Sequence, residues 1–188
     1  VTYWLNLKKI LLWSTKNVTS TLFSCWGVAA ALKAFYDVDI IFRQDKLSGI
    51  YDIELSSKID TLTRGFDDVF KAPISRYCDF PLDFISEKTD INVLASSREV
   101  GLYLGVSGNG KQVYVSGHPE YDVDTLDQEY HRDLAANKSP NIPINYYPNN
   151  DPNKAPLCSW RGHSSLLFCN WLNYYVYQET PYDPYQSK

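Results

Sequence analysis

Two places in the chain carry groups suited to covalent chemistry. Cys25 stands between a short β-branched run, Val18 to Ser24, and an alanine-rich stretch that opens with Trp26-Gly27. A cysteine on such a strand-to-helix turn exposes its sulfur, and the helix N-terminus favours the thiolate. The next backbone N–H, that of Trp26, is placed to hold an oxyanion. His118 and Glu120 lie two positions apart, just past a second alternating run. There the histidine takes or gives a proton while the carboxylate fixes its tautomer and steadies the imidazolium. Each feature alone has a plainer reading. A lone cysteine is a small buried hydrophobe, and a His-x-Glu is a turn histidine beside a solvated carboxylate. Together, in the order strand–Cys–helix and then strand–His-x-Glu, they read as a nucleophile–base–orienter triad on an α/β sheet.

The elements that must position these groups follow from periodicity. Residues 3–16 interleave Trp4, Leu5, Leu7, Ile10, Leu11 and Leu12 with Lys8, Lys9 and Lys16, which predicts an amphipathic helix. Residues 18–24 read as a strand and residues 26–36 as a helix. The helix–strand–Cys–helix unit predicts a parallel sheet in a three-layer α/β sandwich. Residues 37–90 are less regular, with a loop at Asp45-Lys46-Leu47-Ser48-Gly49. Val93 to Ala95 is a short strand. Leu102–Val106 and Gln112–Ser116 alternate around Ser107-Gly108-Asn109-Gly110, a β-hairpin that feeds directly into Gly117-His118. Asp124 is placed to cap a helix over 125–136. Residues 137–158, with five prolines, form a loop, and 163–177 form a final apolar helix stopped before Pro181. The expectation is one α/β domain over residues 1–188.

Bulk properties narrow the partners. A net charge of −4 supplies no basic field, which sets nucleic acid aside. No apolar run approaches the roughly 20 residues that span a bilayer, so no membrane partner is expected. Cys25, Cys78, Cys158 and Cys169 show no CxxC spacing, which speaks against zinc. A core of this size needs no disulfide framework, so the expected setting is reducing and cytoplasmic, with no metal and no bound cofactor. Cys78, Cys158 and Cys169 read as packing residues, and His131 and His163 as surface or satisfied histidines. The chain contains no Met, so Val1 is not a natural initiator and a fragment or processed product is expected.

The triad order occurs in class I glutamine amidotransferases, so it does not by itself choose a reaction. A broader resemblance does. Thr19-Ser20-Thr21-Leu22-Phe23-Ser24-Cys25-Trp26-Gly27, Thr63-Arg64-Gly65-Phe66-Asp67-Asp68 and Gly117-His118-Pro119-Glu120-Tyr121-Asp122 resemble segments of the homoserine O-succinyltransferases and related O-acetyltransferases. So do Gln128-Glu129, Arg132-Asp133 and the closing run from Asn170 to Tyr182. The resemblance implies a flavodoxin-like fold of the class I amidotransferase type. It implies acyl-CoA as co-substrate, L-homoserine as acceptor, a Cys25 thioester in a ping-pong reaction of methionine biosynthesis, and a homodimer. It also implies His118 as proton acceptor with Glu120 as its partner, and Lys46, Ser75 and Arg132 as substrate-binding residues. Arg132 would grip the amino acid's carboxylate through two parallel hydrogen bonds. Glu129, three positions before it, shares its helix face and joins the substrate-binding set. The plainer readings stay open: Lys46 and Arg132 as solvated charges, Arg132 paired with Glu129, Ser75 as a turn residue.

Two positions depart from the family pattern. Ile74 stands where a His usually precedes the Ser, and Tyr51 is followed by Asp52-Ile53 where Glu-His is usual. Both lie near substrate-binding positions and make L-serine a second acceptor, one methylene shorter; a methylene is worth only about 1–3 kcal/mol of discrimination. The family also carries a preceding portion of roughly a hundred residues with further sheet strands and a second oxyanion donor. A glutaminase-type hydrolase and a non-catalytic remnant are the rival readings.

Overall fold

The computed structural model describes residues 2–57 and 59–181. Val1, Lys58 and the Tyr182 of the closing run lie outside the described residues.

The chain begins with α1 (Trp4–Asn17), β1 (Thr21–Ser24) and α2 (Trp26–Tyr36). Two long strands follow, β2 (Ile41–Leu55) and β3 (Val69–Asp79), then α3 (Leu82–Lys88) and β4 (Asn92–Ser97). The hairpin β5 (Gly101–Val106) and β6 (Gln112–Val115) leads to α4 (Thr125–Ala135). After the proline-rich loop, α5 (Arg161–Asn170) runs on into a π-helical stretch, Trp171–Tyr177.

The strands form one sheet in the order β1-β6-β5-β4-β2-β3. Alternation along the strands sends side chains to two cores. On β6, Val113 and Val115 face one core with Leu104, Ile74 and Leu167, while Tyr114 faces the other with Val28, Leu32, Ile85 and Leu102. α1, α2 and α3 cover the second face; α5 and the π-helical stretch cover the first. The three-layer α/β arrangement therefore stands as expected. The sheet itself is mixed rather than parallel. Only β1 and β6 pair in parallel among the described strands, and β2, β3, β4 and β5 join antiparallel.

The largest departure from expectation is β2 with β3. Lys46, Leu47, Ser48 and Gly49 lie inside β2 and not in a loop. Leu47, Ser48 and Gly49 lie opposite Arg76, Ser75 and Ile74 of β3, and the Ser48 carbonyl also accepts from the Ile144 N–H at 2.9 Å. A proline in a strand argues for an edge, and Pro73 sits on β3, the last strand of the order. Gly49, at φ 143°, lets residue 144 of the proline-rich loop approach; an added Cβ would lie 2.3 Å from the Ile144 carbonyl oxygen. Asp124 occupies the N-cap position of α4 but makes no side-chain cap; its carboxylate accepts from Gln128 Nε2 at 2.7 Å. Among the described residues no helix is long and apolar enough to cross a membrane.

Candidate functional site

β1 and β6 run side by side in parallel, so their C-terminal ends reach the same edge of the sheet, with Ser24 opposite Val115. Cys25 follows one end and His118 the other. Such an edge is where α/β sheets gather reactive groups. The Cys25 N–H donates to the Val115 carbonyl at 2.8 Å, continuing the ladder by one residue. The backbone then turns sharply, at φ 47° and ψ −110°, and α2 begins with Trp26. A non-glycine residue in that region is strained, and strain of this kind holds a nucleophile proud of the sheet. Trp26 is the first residue of α2, where a helix leaves its N–H without an intrahelical acceptor. The Cys25 thiol donates to the carbonyl of Ser75 at 3.7 Å.

The His118 turn is tied down on both sides. Ser24 Oγ donates to the Gly117 carbonyl at 3.1 Å, and the His118 N–H donates to the Pro73 carbonyl at 2.9 Å. Gly117 is required there: an added Cβ would lie 2.7 Å from both the Pro73 oxygen and Ile74 Cδ1. His118 Nδ1 is 2.7 Å from Glu120 Oε1, which leaves Nε2 for the sulfur. Burial works against the imidazolium, but hydrogen bonds to Cys25 and Glu120, and their charges, outweigh it. The His118 pKa is pushed up to about 9. The sequence-predicted Cys25, His118 and Glu120 are thus brought together as one linked group.

A second polar cluster adjoins it. Lys46 Nζ donates to Glu129 Oε2 at 2.8 Å, and Ser75 Oγ donates to the same oxygen. Tyr121 donates its hydroxyl to Glu129 Oε1 at 2.7 Å. Burial opposes the Glu129 charge, yet these three donors overcome it and hold the carboxyl below the usual range. Lys46 and Glu129 side chains are each only 17% exposed, so Lys46 is not a solvated charge.

Arg132 lies further out. Its side chain is 63% exposed and its guanidinium pairs with Asp133 Oδ1 at 3.2 Å in place of Glu129. Asp133 was not singled out by the spacing. It is nearly buried and also meets Lys46 at 3.7 Å and Lys138 at 3.2 Å. Tyr121 was missed as well; its ring stacks on the His118 imidazole with centroids 4.1 Å apart. Neither residue type nor spacing signals that contact, which depends on the fold of the turn after Glu120. Of the remaining cysteines, Cys78 is buried, Cys158 is half-buried, and Cys169 is exposed rather than a packing residue. His163 meets Asp67 at 3.1 Å and stacks on Phe70, and His131 lies at the surface by Asp127. Among the described residues no cluster of His, Cys, Asp and Glu is arranged to hold a metal ion.

A cysteine on a strained strand–helix turn, met by a His-x-Glu from the neighbouring parallel strand on a helix-covered mixed sheet, defines a class I glutamine amidotransferase-like fold. Solved structures agree on that fold. A glutamine amidotransferase from Thermotoga maritima matches with a TM-score of 0.64 at 16% identity, over 92% of this chain and 70% of that one. One from Methylobacillus flagellatus matches with a TM-score of 0.66 at 10% identity, also over 92% and 70%.

Within that fold, the chain belongs to the homoserine O-succinyltransferase family, whose pattern matches residues 1–182. A homoserine O-acetyltransferase of Succinatimonas hippei is 57% identical over 97% of this chain and 60% of its own length. A homoserine O-succinyltransferase of Tolumonas auensis is 57% identical over 97% and 58%. The chain therefore spans about three fifths of the length of the curated relatives it matches.

Proposed function

We propose that this chain carries the catalytic centre of a homoserine O-acyltransferase that works by a two-step exchange through Cys25. The observation that carries the reading is Cys25 at the end of β1 beside the His118–Glu120 pair just past the end of β6, with the Lys46–Ser75–Glu129 cluster adjoining through Ser75. The first supplies acyl chemistry. The second is a charged, partly buried cluster suited to a small zwitterionic acceptor.

In the first step the Cys25 sulfur attacks the thioester carbonyl of acyl-CoA. Backbone N–H groups, that of Trp26 among them, hold the oxyanion. The bond to the CoA sulfur breaks, and CoA leaves with the proton carried by His118. In the second step the acceptor hydroxyl attacks the Cys25 thioester, and its proton passes to His118. The bond to Cys25 then breaks, releasing the O-acyl amino acid and restoring the starting charges. Glu120 holds the imidazole in place throughout. Lys46, Ser75 and Glu129 bind the acceptor, and Arg132 turns from Asp133 to its carboxylate. L-Homoserine is the acceptor and L-serine the second choice; the product is a methionine precursor made in the cytoplasm by a homodimer. Both donors, succinyl and acetyl, occur among the names of close relatives.

Intact-protein mass after mixing with acetyl-CoA and then with succinyl-CoA tests the reading. A gain of one acyl group, absent from Cys25→Ala, is the expected result and names the donor. No gain with either ester, together with release of ammonia from glutamine, would replace it with the hydrolase reading.

A further inference from the structure

Tyr121 links the two clusters through its side chain, beside the contact of the Cys25 thiol with the Ser75 carbonyl. Its ring lies nearly parallel to the His118 imidazole, at 18° and 4.1 Å between centroids. Its hydroxyl donates to Glu129 Oε1 at 2.7 Å, while Lys46 and Ser75 share Oε2. Each oxygen of the Glu129 carboxylate thus has its own donors. The tyrosine backbone is fixed at both ends. Its N–H donates to the His118 carbonyl at 3.1 Å, and its carbonyl accepts from Trp160 Nε1 at 3.0 Å. Trp160 is buried, so that anchor does not swing.

We propose that Tyr121 is a positioning residue with two separable parts, a ring that holds the His118 imidazole and a hydroxyl that holds Glu129 for the acceptor. The inference rests on the acyltransferase reading and deepens it. A phenol face against an imidazole covers one side of that ring and favours its charged form. It also limits rotation of the imidazole out of line with Cys25. The hydroxyl does different work. Burial and the Glu129 carboxylate push the Tyr121 pKa up, so the group stays a donor through the neutral range. A fixed donor on Oε1 keeps the carboxylate from turning toward Lys46 alone. The acceptor then meets Glu129 in one orientation, with its own hydroxyl directed at His118.

Two substitutions divide the parts. Tyr121→Phe keeps the ring and removes the donor. Tyr121→Leu removes both. Two rates are read for each variant: acylation of Cys25 by the acyl-CoA that loads the unsubstituted protein, followed by intact mass, and transfer to L-homoserine as that acceptor's concentration is varied. Tyr121→Phe is expected to raise the acceptor KM about tenfold, as for a hydrogen bond to a charged group, and to slow acylation far less. Tyr121→Leu is expected to slow acylation about tenfold as well. A Tyr121→Phe variant that impairs both steps equally would overturn the division and leave a merely structural tyrosine, and a Tyr121→Leu variant that is acylated as fast as Tyr121→Phe would overturn the role of the ring. An unchanged acceptor KM in Tyr121→Phe would overturn the role of the hydroxyl. If the unsubstituted protein takes up no acyl group, the parent reading falls and this one with it; if it is acylated normally, either adverse result sinks this inference alone.

Discussion

Lys46 Nζ and Glu129 Oε2 meet at 2.8 Å across 83 positions of sequence, one on β2 and the other on α4. Both side chains are largely withdrawn from water. Removing one member of such a pair leaves the other desolvated and under-partnered, which costs more than the pair itself contributes. Lys46→Ala is therefore expected to weaken acceptor use by roughly 10- to 150-fold in kcat/KM, the equivalent of about 1.5–3 kcal/mol for a hydrogen bond to a charged group. Steady-state kinetics with varied L-homoserine check it. An unchanged value would mean that Lys46 faces no substrate.

The proton on His118 links the site to stability. The group's ordinary pKa is about 6.5, and the folded value is about 9. The fold thus binds this proton more tightly than the unfolded chain does. Its contribution is fully present below about pH 6.5 and is lost as pH rises through about 9. The size is on the order of 3 kcal/mol, at about 1.4 kcal/mol for each pH unit between the two values, and solvent screens it little because the side chain is mostly buried. The gap in melting temperature between the unsubstituted protein and His118→Gln should shrink between pH 6.5 and 9.5. A gap that is flat across that range would contradict the charged pairing. Glu129, held low by its three donors, acts in the opposite sense and loses its contribution as pH falls through the acid range.

Asp133 is a buried carboxylate that meets three cations, Lys46, Arg132 and Lys138. Asp133→Asn keeps the shape and removes the charge that orients Lys46 and parks Arg132. The expected result is a several-fold rise in acceptor KM, on the order of 3- to 10-fold for one weakened charge-assisted contact, with Cys25 acylation less affected. Acylation and transfer falling together would assign Asp133 to folding alone.

How much of this was readable before folding depends on the range of the contacts. β1, Cys25 and α2 are contiguous, and their periodicity changes at the cysteine, so the strand-to-helix turn at Cys25 was legible. The β5–β6 hairpin was legible for the same reason, since its turn lies between its own strands. β2 and β3 were not. Lys46, Ser48 and Gly49 are poor strand formers in isolation, and Pro73 argues against a strand. What makes them strands is each other, through a long antiparallel register closed across the intervening Thr61–Thr63 turn. The placement of Cys25 and the His118–Glu120 pair at neighbouring strand ends was readable because strand ends are local signals. The Lys46–Glu129–Tyr121 cluster was not derivable from spacing, because it joins β2, α4 and the turn after Glu120. Resemblance to a family supplied Lys46, Ser75 and Arg132 as binding residues, but the anchoring of Arg132 on Asp133 needed the fold.

Gly117 offers a test of how closely the His118 turn is held. An added Cβ would lie 2.7 Å from the Pro73 oxygen, 2.7 Å from Ile74 Cδ1 and 2.9 Å from Tyr103 Cε2. The backbone oxygen cannot give way without opening the His118 N–H bond to Pro73, which is 2.9 Å long. Gly117→Ala should therefore push the turn outward, costing about 1–3 kcal/mol of stability as an overpacked site. A displacement near 1 Å in a reacting group costs roughly 100-fold in rate, so Cys25 acylation should fall by about that factor while the mutant still melts cooperatively. Substituting Ile74→Ala in the same protein clears one of the three contacts and should recover part of the stability but little of the rate, because Pro73 still blocks the turn. Full recovery of the rate would show that Ile74, and not the backbone of β3, sets the position of His118.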